Sequence, residues 1–315
     1  MKKNYQQLRM ALVAVIFLLA GTANRAWGTI YKAIDLHPSG FDSSWAWGIS
    51  GTQQVGNSGI RGITHALLWN GTAASCVDLN PSGFNTSAVY GASGTQQVGF
   101  GGNHALLWNG SAASYVDLNP SGFNNSRAYG TNGTQQVGYG SGSATGGNDH
   151  ALLWNGTADS VIDLNPSGFD RSVAEGISGT QQVGGGNGWV GQHALLWNGS
   201  PDKYVDLNPI GFDISYAYGT NGTQQVGYGG GLPTGSYSHA LLWSGTATSC
   251  IDLHQFLPLG FIASCANGID VYGNIVGWAY DSSSGYYHAI LWEIPEPATL
   301  LLLGLGAVMA RKNRK

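Results

Sequence analysis

A histidine occupies the same position in six repeats of this sequence. It begins the string HALLW five times and HAILW once, at His65, His104, His150, His193, His239 and His288. Six imidazoles at one repeat position could form a ring of metal ligands. Zinc sites, however, usually combine closely spaced His, Cys and carboxylate ligands, a combination that the repeat lacks. We therefore predict that the histidines form hydrogen bonds and that the chain holds no metal ion.

An aspartate recurs with similar regularity, in an Asp-Leu pair. The six positions are Asp35, Asp78, Asp117, Asp163, Asp206 and Asp252. Within a repeat the aspartate lies one strand away from the histidine, across an Asn-Gly turn, and is its obvious hydrogen-bond partner. We predict a structural role for both residues.

The sequence contains no familiar catalytic motif. A nucleophile elbow, a P-loop and a zinc-protease string are missing, and the glycine-rich segment Gly138–Gly147 lacks the lysine and helix of a phosphate site. Asp149, Glu175 and Asp281 are carboxylates that no motif pairs, so a two-carboxylate glycosidase has no positive support. Near-identical repeats are also unlike a catalytic centre, where different groups take different roles. We predict that the protein is not an enzyme and needs no cofactor.

Aromatic side chains are frequent in the connection between the second and third predicted strands, where the repeats differ most. We predict six of them as ligand contacts: Tyr139, Trp189, Tyr228, Tyr237, Tyr286 and Tyr287. Such rings stack on sugars or dock against a protein surface. The alternative is that they only pack within their own loops.

The repeats have the length of a four-stranded unit. The Asp-Leu pairs are separated by 43, 39, 46, 43 and 46 residues, and a period of about 44 residues is typical of a propeller blade. In one repeat the predicted strands are Ala88–Ala92, Gln96–Phe100, His104–Trp108 and Ser114–Leu118. Asn109-Gly110 predicts a two-residue hairpin between the last two strands. HALLW is apolar on both faces, which indicates a strand that is covered on both sides.

The two ends of the repeat region are complementary. The last repeat has three predicted strands and then reaches Pro295, whereas Ile30–Leu36 supplies a lone strand of the missing kind. Pairing of this strand with the last repeat would close a ring. Residues 29–294 are therefore predicted to form an all-β, six-bladed β-propeller that the N-terminal strand closes.

The series of motifs also resembles a known extracellular repeat. Ala-x-Gly-Ile-Ser/Asn, Gly-x-x-Val-Gly, His-Ala-x-Leu-Trp and Asp-Leu follow one another as in HAF-type repeats, and the similarity spans residues 30–292. This chain has leucine where the namesake motif has an aromatic third residue, a mild change in a packed strand. The resemblance implies an extracellular protein and carries no activity.

Composition restricts the partners of the repeat region. Between the two ends of the chain lie five basic and sixteen acidic residues, a net charge of −11. A surface of that sign repels phosphate backbones, so we predict no nucleic-acid partner. The cysteines leave two alternatives: Cys250 and Cys265 form a disulfide, or both, like Cys76, are small buried hydrophobes.

The N-terminus has the character of a targeting segment. Residues 1–28 predict a secretory signal peptide, because three basic residues precede the apolar run Met10–Ala20. This run is too short to span a bilayer comfortably. Cleavage after Ala23 and cleavage after Gly28 both fit the small residues that a signal peptidase reads.

The C-terminus has three parts in a fixed order. Pro295-Glu296-Pro297 precedes an apolar segment, Ala298–Ala310, and a basic end, Arg311–Lys315. The apolar segment would form a helix of about 20 Å, shorter than the ~30 Å hydrocarbon core of a bilayer. Residues 295–315 resemble the PEP-CTERM sorting signal of Gram-negative bacteria.

The resemblance to PEP-CTERM proteins implies a destination. In that family a membrane-embedded exosortase processes the tail, and the proteins accompany extracellular polysaccharide and biofilm genes. We therefore expect a tail that inserts transiently into the inner membrane and a mature domain at the cell surface or beyond it. The predicted function is a non-enzymatic, carbohydrate- or protein-binding module of the extracellular matrix. The alternative is a polysaccharide hydrolase or lyase on the same scaffold.

Overall fold

The chain folds almost entirely as β-strands. The computed structural model describes residues 33–188, 191–235 and 237–293. These ranges contain 23 strands in six antiparallel sheets, which confirms the all-β prediction. The chain divides into two compact units, Met1–Asp35 and Leu36–Lys315, and all six sheets lie in the second.

The six sheets follow one another along the chain and are numbered in that order. Sheet 1 consists of β1 (Ser43–Ser50), β2 (Gln53–Ile60), β3 (Ile63–Trp69) and β4 (Val77–Asp78). Sheet 2 consists of β5 (Ser87–Ser93), β6 (Gln96–Gly101), β7 (His104–Trp108) and β8 (Val116–Asp117). Sheet 3 consists of β9 (Phe123–Thr131), β10 (Gln136–Gly142), β11 (His150–Trp154) and β12 (Ile162–Asp163). Sheet 4 consists of β13 (Phe169–Ser178), β14 (Gln181–Gly188), β15 (Gly191–Trp197) and β16 (Tyr204–Asp206). Sheet 5 consists of β17 (Phe212–Thr220), β18 (Gln225–Gly231), β19 (His239–Trp243) and β20 (Ile251–Asp252). Sheet 6 consists of β21 (Phe261–Ile269), β22 (Ile275–Asp281) and β23 (Tyr286–Trp292).

Every sheet is a meander, in which each strand pairs with the next one along the chain. In sheet 2, Val98 of β6 lies opposite Leu107 of β7, and Leu107 lies opposite Val116 of β8. The strands predicted for this repeat are thus confirmed in number and order, and β8 is shorter than expected. Sheet 6 differs from the others, because its described part has three strands.

The connection between the third and fourth strands is not the two-residue hairpin that Asn-Gly predicts. In sheet 2 the residues 109–115 join β7 to β8 and include a turn of 3₁₀ helix, Ala112–Ser114. Of the Asn-Gly pair only Gly110 has a positive φ, of 81°. The Ser114 hydroxyl accepts the N–H of Asn109 at 2.8 Å and donates to the Ser111 carbonyl oxygen at 2.6 Å. The wider turn forms because serine side chains bond backbone groups in this way.

Consecutive sheets pack face to face and bury the HALLW strands on both sides. Leu107 of sheet 2 lies in a cluster with Ala128, Leu152 and Trp154 of sheet 3. Leu106, one residue earlier, packs toward sheet 1. Alternate side chains of one strand therefore belong to two interfaces, which confirms that HALLW is covered on both faces. Burial of each such leucine contributes about 1.5–3 kcal/mol.

The first strands of neighbouring sheets approach one another closely at a repeated glycine. A Cβ atom at Gly130 of β9 would lie 3.0 Å from the carbonyl oxygen of Glu175 in β13. Each first strand also has a β-bulge just before this glycine, which leaves one residue unpaired. We call these six bulged residues the bulge row: Trp47, Tyr90, Tyr129, Glu175, Tyr218 and Asn267.

The outer face of sheet 6 differs from the interfaces between sheets. Val276 and Leu291 are 53% and 59% exposed, whereas the equivalent Val137 and Leu153 of sheet 3 are 0% and 2% exposed. The strand predicted to complete sheet 6, Ile30–Leu36, falls partly outside the described residues. Its described part, from residue 33, has no strand assignment. Ring closure therefore stays a prediction.

All three cysteines are free thiols, so Cys250 and Cys265 do not form the disulfide considered from the sequence. Cys250 packs against the core between sheets 4 and 5. Cys265 is buried in β21. Burial raises the pKa of each thiol to about 12. The structure thus favours the alternative in which these cysteines act as small hydrophobes.

Three predictions fall outside the described residues. They concern the signal peptide, residues 1–28; the sorting tail, residues 295–315; and the ligand contact Trp189. Within the described ranges, no helix has both the length and the apolar character needed to cross a membrane.

Candidate functional site

The repeated histidines of the first five sheets hydrogen-bond the aspartates predicted as their partners. In each pair the Nδ1 atom of the imidazole lies 2.7–2.8 Å from the Oδ2 atom of the carboxylate. The pairs are His65–Asp78, His104–Asp117, His150–Asp163, His193–Asp206 and His239–Asp252. The structure confirms the predicted pairing in these sheets. Across the described part of the chain, no group of three or more His, Cys, Asp or Glu side chains is placed to hold a metal ion.

The aspartate also belongs to a chain of hydrogen bonds that joins one sheet to the next. Between sheets 2 and 3, Oδ1 of Asp117 accepts the N–H of Asn119 at 2.8 Å. Oδ1 of Asn119 accepts the hydroxyl of Ser126 at 2.7 Å, and Oγ of Ser126 accepts the N–H of Ala105 at 2.9 Å. We call this chain the inter-sheet link. It has the same form between sheets 1 and 2, 3 and 4, and 4 and 5.

The inter-sheet link excludes a nucleophilic role for its serine. Ser126 donates its hydroxyl proton to an amide oxygen, whereas a Ser-His-Asp triad requires donation to a histidine. The histidine is in turn held by the aspartate. Asp, Asn and Ser therefore recur together because they connect one sheet to the next, and the histidine recurs because it pairs with the aspartate.

The link between sheets 5 and 6 has a histidine in place of the asparagine. Nδ1 of His254 lies 2.8 Å from the Ser264 hydroxyl oxygen, and Nε2 lies 3.3 Å from the Phe261 carbonyl oxygen. This pattern assigns the proton of the neutral ring to Nε2 and leaves Nδ1 as an acceptor. The ring stacks on that of His239, with centroids 4.0 Å apart. Burial and the neighbouring His239 lower the pKa of His254, so the site favours a neutral ring.

Three grooves lie between successive sheets, at the end where second strands connect to third strands. Their positions are equivalent, because each contains the residue before a HALLW histidine and side chains from the next sheet's first strand. The Arg127 groove, of about 390 Å³, is lined by Asn103, Asn124, Asn125, Arg127, Tyr139 and Asp149. The Arg171 groove, of about 220 Å³, is lined by residues that include Asp149, Arg171, Asn187, Gln192 and Tyr216. The Tyr228 groove, of about 340 Å³, is lined by residues that include Ile214, Tyr218, Tyr228, Ser238, Asn267 and Trp278.

The grooves differ in chemical character. The first two combine amide, guanidinium and carboxylate groups with one tyrosine each, and Asp149 lines both of them. Such groups bond the hydroxyls of a ligand, while the ring supports its apolar face. The Tyr228 groove is lined by three aromatic residues and by no charged side chain. The arrangement can hold a polar ligand.

The predicted ligand contacts occupy two kinds of position. Tyr139 and Tyr228 line grooves, and both lie within second strands rather than in the connections that the sequence indicates. Tyr237, Tyr286 and Tyr287 are exposed by 51%, 71% and 69%. The first of these three lies between β18 and β19, and the other two begin β23.

The sequence interpretation missed the polar walls of the grooves. Asn103, Asp149 and Gln192 each immediately precede a HALLW histidine. Arg127 and Arg171 lie in the first strands β9 and β13. A signal was available, because the residue before the histidine varies among polar types while the string after it hardly changes. A position that varies next to the unchanging HALLW string is not constrained by packing of the core, so its side chain is available to contact a ligand.

Aromatic rings continue from the grooves along the bulge row. The ring centroids of Tyr90 and Tyr129 are 5.3 Å apart, and those of Tyr129 and Tyr139 are 5.8 Å apart. The guanidinium of Arg127 lies 3.8 Å from the centroid of the Phe100 ring, a cation–π contact. Side chains of the first strands thus line a groove, as Arg127 does, or contact a residue that lines it, as Tyr129 contacts Tyr139.

The three carboxylates without a sequence motif take different places. Asp149 lines two grooves. Asp281 closes a turn after β22, where hydrogen bonds from Ser283 lower the pKa of its carboxyl. Glu175 accepts the hydroxyl of Tyr216 at 2.9 Å, and burial raises the pKa of its carboxyl.

Comparison with known proteins bears on the end of the chain and on the fold. The model of the PEP-CTERM protein-sorting motif matches residues 293–315. The β-propeller domain of the Trilobed protease from Pyrococcus furiosus, described as having an open velcro topology, is 10% identical at a TM-score of 0.51. This likeness covers 80% of the present chain and 83% of that one. A putative TolB from Agrobacterium tumefaciens is 12% identical at a TM-score of 0.46, covering 64% of this chain and 74% of that one. A search among curated proteins found no match.

The similarity to the Pyrococcus domain bears on the fold, and the match to the sorting motif bears on the destination of the protein. The likeness to the Pyrococcus domain concerns the fold alone, and the present sheets form a β-propeller-like arrangement. The matched motif marks an exported protein that is sorted to the surface, and it is the signal that exosortase recognises.

Proposed function

We propose that the chain is a non-enzymatic surface protein whose grooves bind extracellular polysaccharide. The Arg127 groove carries this proposal, because four polar side chains, Asn103, Asn124, Asn125 and Asp149, share it with Tyr139. A sugar ring has an apolar face and an edge of hydroxyls. The tyrosine would support the face, while the amides and the carboxylate bond the edge.

The equivalence of the grooves favours a polymer as the ligand. A polysaccharide repeats its sugar unit and can engage several similar sites at once. The affinity of each site can then be low while the polysaccharide as a whole is bound tightly, because the second contact forms at a high effective concentration. The Arg127 and Arg171 grooves share Asp149, so they adjoin.

The exposed aromatic residues complete the proposed surface. Tyr139 and Tyr228 contact the ligand within their grooves. Tyr237, Tyr286 and Tyr287 contact it outside them, and Trp189, which falls outside the described residues, is proposed as a further contact. A protein at the cell surface is the alternative partner for this second group, because exposed aromatics also dock proteins.

The tail determines where this binding takes place. An exosortase would process the motif at Pro295-Glu296-Pro297 in a Gram-negative bacterium. Until then the apolar segment after it would insert in the inner membrane. Release would leave the binding module among matrix polysaccharide, which accords with the association of such tails with biofilm genes.

The repeats are proposed to form a six-bladed β-propeller of HAF type that residues 30–36 close. One contact within the second unit supports this. Nδ1 of His37 lies 3.0 Å from the Ser44 hydroxyl oxygen, as Nδ1 of His254 lies 2.8 Å from that of Ser264. The segment before sheet 1 thus repeats the bond that joins sheets 5 and 6, where a neighbouring sheet precedes it.

A hydrolase or lyase on this scaffold is the second candidate. Glu175 favours it, because a partly buried carboxyl with a raised pKa is suited to act as a general acid. The proposal of binding without catalysis rests instead on the equivalence of the grooves. Catalysis would require unlike groups at one of them.

The test combines a glycan array with an assay for released reducing ends. The proposal expects retention of the secreted form on polysaccharide and no release of sugar ends. Release that is lost in Glu175→Gln would establish the hydrolase instead. If the protein is not retained on any matrix polysaccharide and releases no sugar ends from any of them, both functions are excluded.

A further inference from the structure

Glu175 is the one charged residue of the bulge row. The row is aromatic at four of its six positions, and its remaining member is Asn267. Among the described residues no Arg, Lys or His forms an ion pair with Glu175. A largely buried carboxylate without a cation costs free energy. Its presence therefore requires an explanation beyond packing.

Tyrosines from two other sheets interact with this carboxyl. Tyr216 of sheet 5 donates its hydroxyl to Oε1 of Glu175 at 2.9 Å, and its ring centroid lies 5.1 Å from that of Tyr218. Tyr129 of sheet 3 interacts electrostatically with both Glu175 and Tyr216. All four side chains are partly exposed, so a ligand can reach them from solvent.

The sequence of sheet 4 makes room for this arrangement. After Val-Gly in the second strand, four repeats have an aromatic residue: Phe100, Tyr139, Tyr228 and Trp278. Sheet 4 has Gly185 instead, and a Cβ atom there would lie 2.3 Å from the Cδ2 and Cε2 atoms of Tyr216. Tyr216 can therefore lie against the backbone of residue 185 and reach Glu175. Glu175 and Gly185 thus replace the aromatic residues that are commoner at their positions, and Gly185 leaves the space that Tyr216 occupies.

We infer that Glu175, Tyr129, Tyr216 and Tyr218 bind an organic ammonium group. The faces of aromatic rings attract a cation, and the carboxylate neutralises it. A calcium ion fits less well, since it takes six to eight oxygen ligands and this site offers one carboxylate. The same chemistry occurs in the free amine of an amino sugar and in a quaternary ammonium such as choline.

The ammonium site adjoins two of the grooves without depending on them. Tyr216 lines the Arg171 groove, and Tyr218 lines the Tyr228 groove. The inference goes beyond the proposed function, because a free ammonium ligand would bind whether or not the grooves hold polysaccharide.

Proton linkage gives the site a recognisable signature. Burial raises the pKa of Glu175, whereas a bound cation favours the ionised carboxyl. Binding therefore releases a proton and becomes tighter as the pH rises through the pKa of Glu175. The facing tyrosines do not titrate in this window, because burial raises the pKa values of Tyr129, Tyr216 and Tyr218. The guanidinium of Arg127 acts on Tyr129 and lowers its pKa in part.

The full chain is titrated with glucosamine, N-acetylglucosamine and choline by calorimetry at about pH 5 and about pH 7, because the amine of an amino sugar loses its charge near pH 8. Glucosamine or choline should bind, more tightly at the higher pH, while uncharged N-acetylglucosamine should not. Glu175→Gln and Tyr218→Leu should each weaken binding about tenfold. Asp170→Asn, which removes an exposed carboxylate from the same strand, should bind as the wild type does. Thermal melts establish that each variant is folded.

The outcomes separate the two sources of the ligand. Binding of glucosamine without choline identifies an amino sugar, and the reverse identifies a quaternary ammonium. Binding of both supports the shared chemistry. The inference is overturned if the wild-type chain binds neither, if Glu175→Gln binds as tightly as the wild type, or if N-acetylglucosamine binds as tightly as glucosamine.

Discussion

The Nδ1 atom of His254 lies 2.8 Å from the hydroxyl oxygen of Ser264, in the place that an asparagine oxygen takes at the other inter-sheet links. Asn119 accepts the hydroxyl of Ser126 and donates its Nδ2 to the carbonyl oxygen of Phe123 at 3.0 Å. The neutral His254 ring performs both tasks with its two nitrogens. Only the neutral form can do so, because protonation converts the Nδ1 acceptor into a donor.

The junction of sheets 5 and 6 should therefore weaken in acid. The pKa of His254 is lowered in the folded chain by burial and by His239, so the unfolded chain takes up the proton more readily. This part of the stability is present above the usual pKa of histidine, about 6.5, and is lost as the pH falls below it. Melting temperatures of the wild type and His254→Asn across this range provide the measurement. The variant should lose less stability in acid, and parallel curves for the two proteins would contradict the assignment.

The asparagine of the link should matter more for stability than the histidine. Asn119→Ala removes the partner of a buried serine and should cost about 1–3 kcal/mol of unfolding free energy. His104 and Asp117 are 40% and 42% exposed, so His104→Ala should cost about 1 kcal/mol or less. Urea denaturation of both variants checks the order. A larger loss for His104→Ala would show that the pair, not the asparagine, holds the sheets together.

Groove binding should depend on Tyr139. Tyr139→Ala removes the ring of the Arg127 groove and should weaken polysaccharide binding by about 1–1.5 kcal/mol, roughly tenfold. Tyr272→Ala is the matched control, because Tyr272 is 80% exposed and lies in the turn between β21 and β22, at the opposite end of the sheets. Binding titrations on immobilised polysaccharide compare the two. Equal affinities in both variants would remove the groove from the proposal.

Deletion of Thr29–Leu36 should lower the melting temperature and broaden the transition. The proposed fourth strand of sheet 6 would be lost, and the apolar side chains Val276 and Leu291 would stay uncovered. Replacement of the same residues by a Gly/Ser segment of equal length separates strand pairing from chain length and should have the same effect. An unchanged melt in both variants would mean that this segment does not close a ring.

Replacement of Pro295-Glu296-Pro297 by alanine should leave an unprocessed form in the membrane fraction of the native host. The enzyme that recognises the motif would no longer cleave the tail, and the apolar segment would stay inserted. Triple alanine replacement of Ser282-Ser283-Ser284, a turn within sheet 6, serves as the control and should be released normally. Mass spectrometry and fractionation give the readout; normal release of the tail variant would leave the motif without a sorting role.

The strands and the His–Asp pairs were predictable from the sequence because both depend on local spacing. HALLW is apolar at successive positions, which only a strand buried on both faces requires. His104 and Asp117 face each other because β7 and β8 are neighbours in one meander. The Asn-Gly turn was predicted wrongly, since the Ser114 side chain closes a wider loop than the two residues alone indicate.

The grooves could not be predicted in the same way. Asn103 and Tyr139 line one recess although they belong to different sheets. Their proximity depends on how two sheets pack, which no spacing within a repeat encodes. Tyr139 was assigned to a connection because glycine and serine follow it, yet β10 continues to Gly142 by backbone pairing with β9. A glycine-rich segment can pair with a neighbouring strand although it lacks the alternation of apolar and polar side chains that indicates a strand in a sequence.

The inter-sheet link also bears on how such a gene can change its length. Every donor and acceptor of one link comes from a single stretch of sequence, from Ala105 through Asp117 and Asn119 to Ser126 in the case of sheets 2 and 3. Duplication or loss of one whole period adds or removes a complete set of these bonds, wherever within the period the exchange occurs. Among sheets 1 to 5, each surviving neighbour then meets the same Asp, Asn and Ser residues of the link as before. Unequal recombination between the near-identical copies can thus alter the number of sheets in one event, while a change of one base in a link residue breaks a junction.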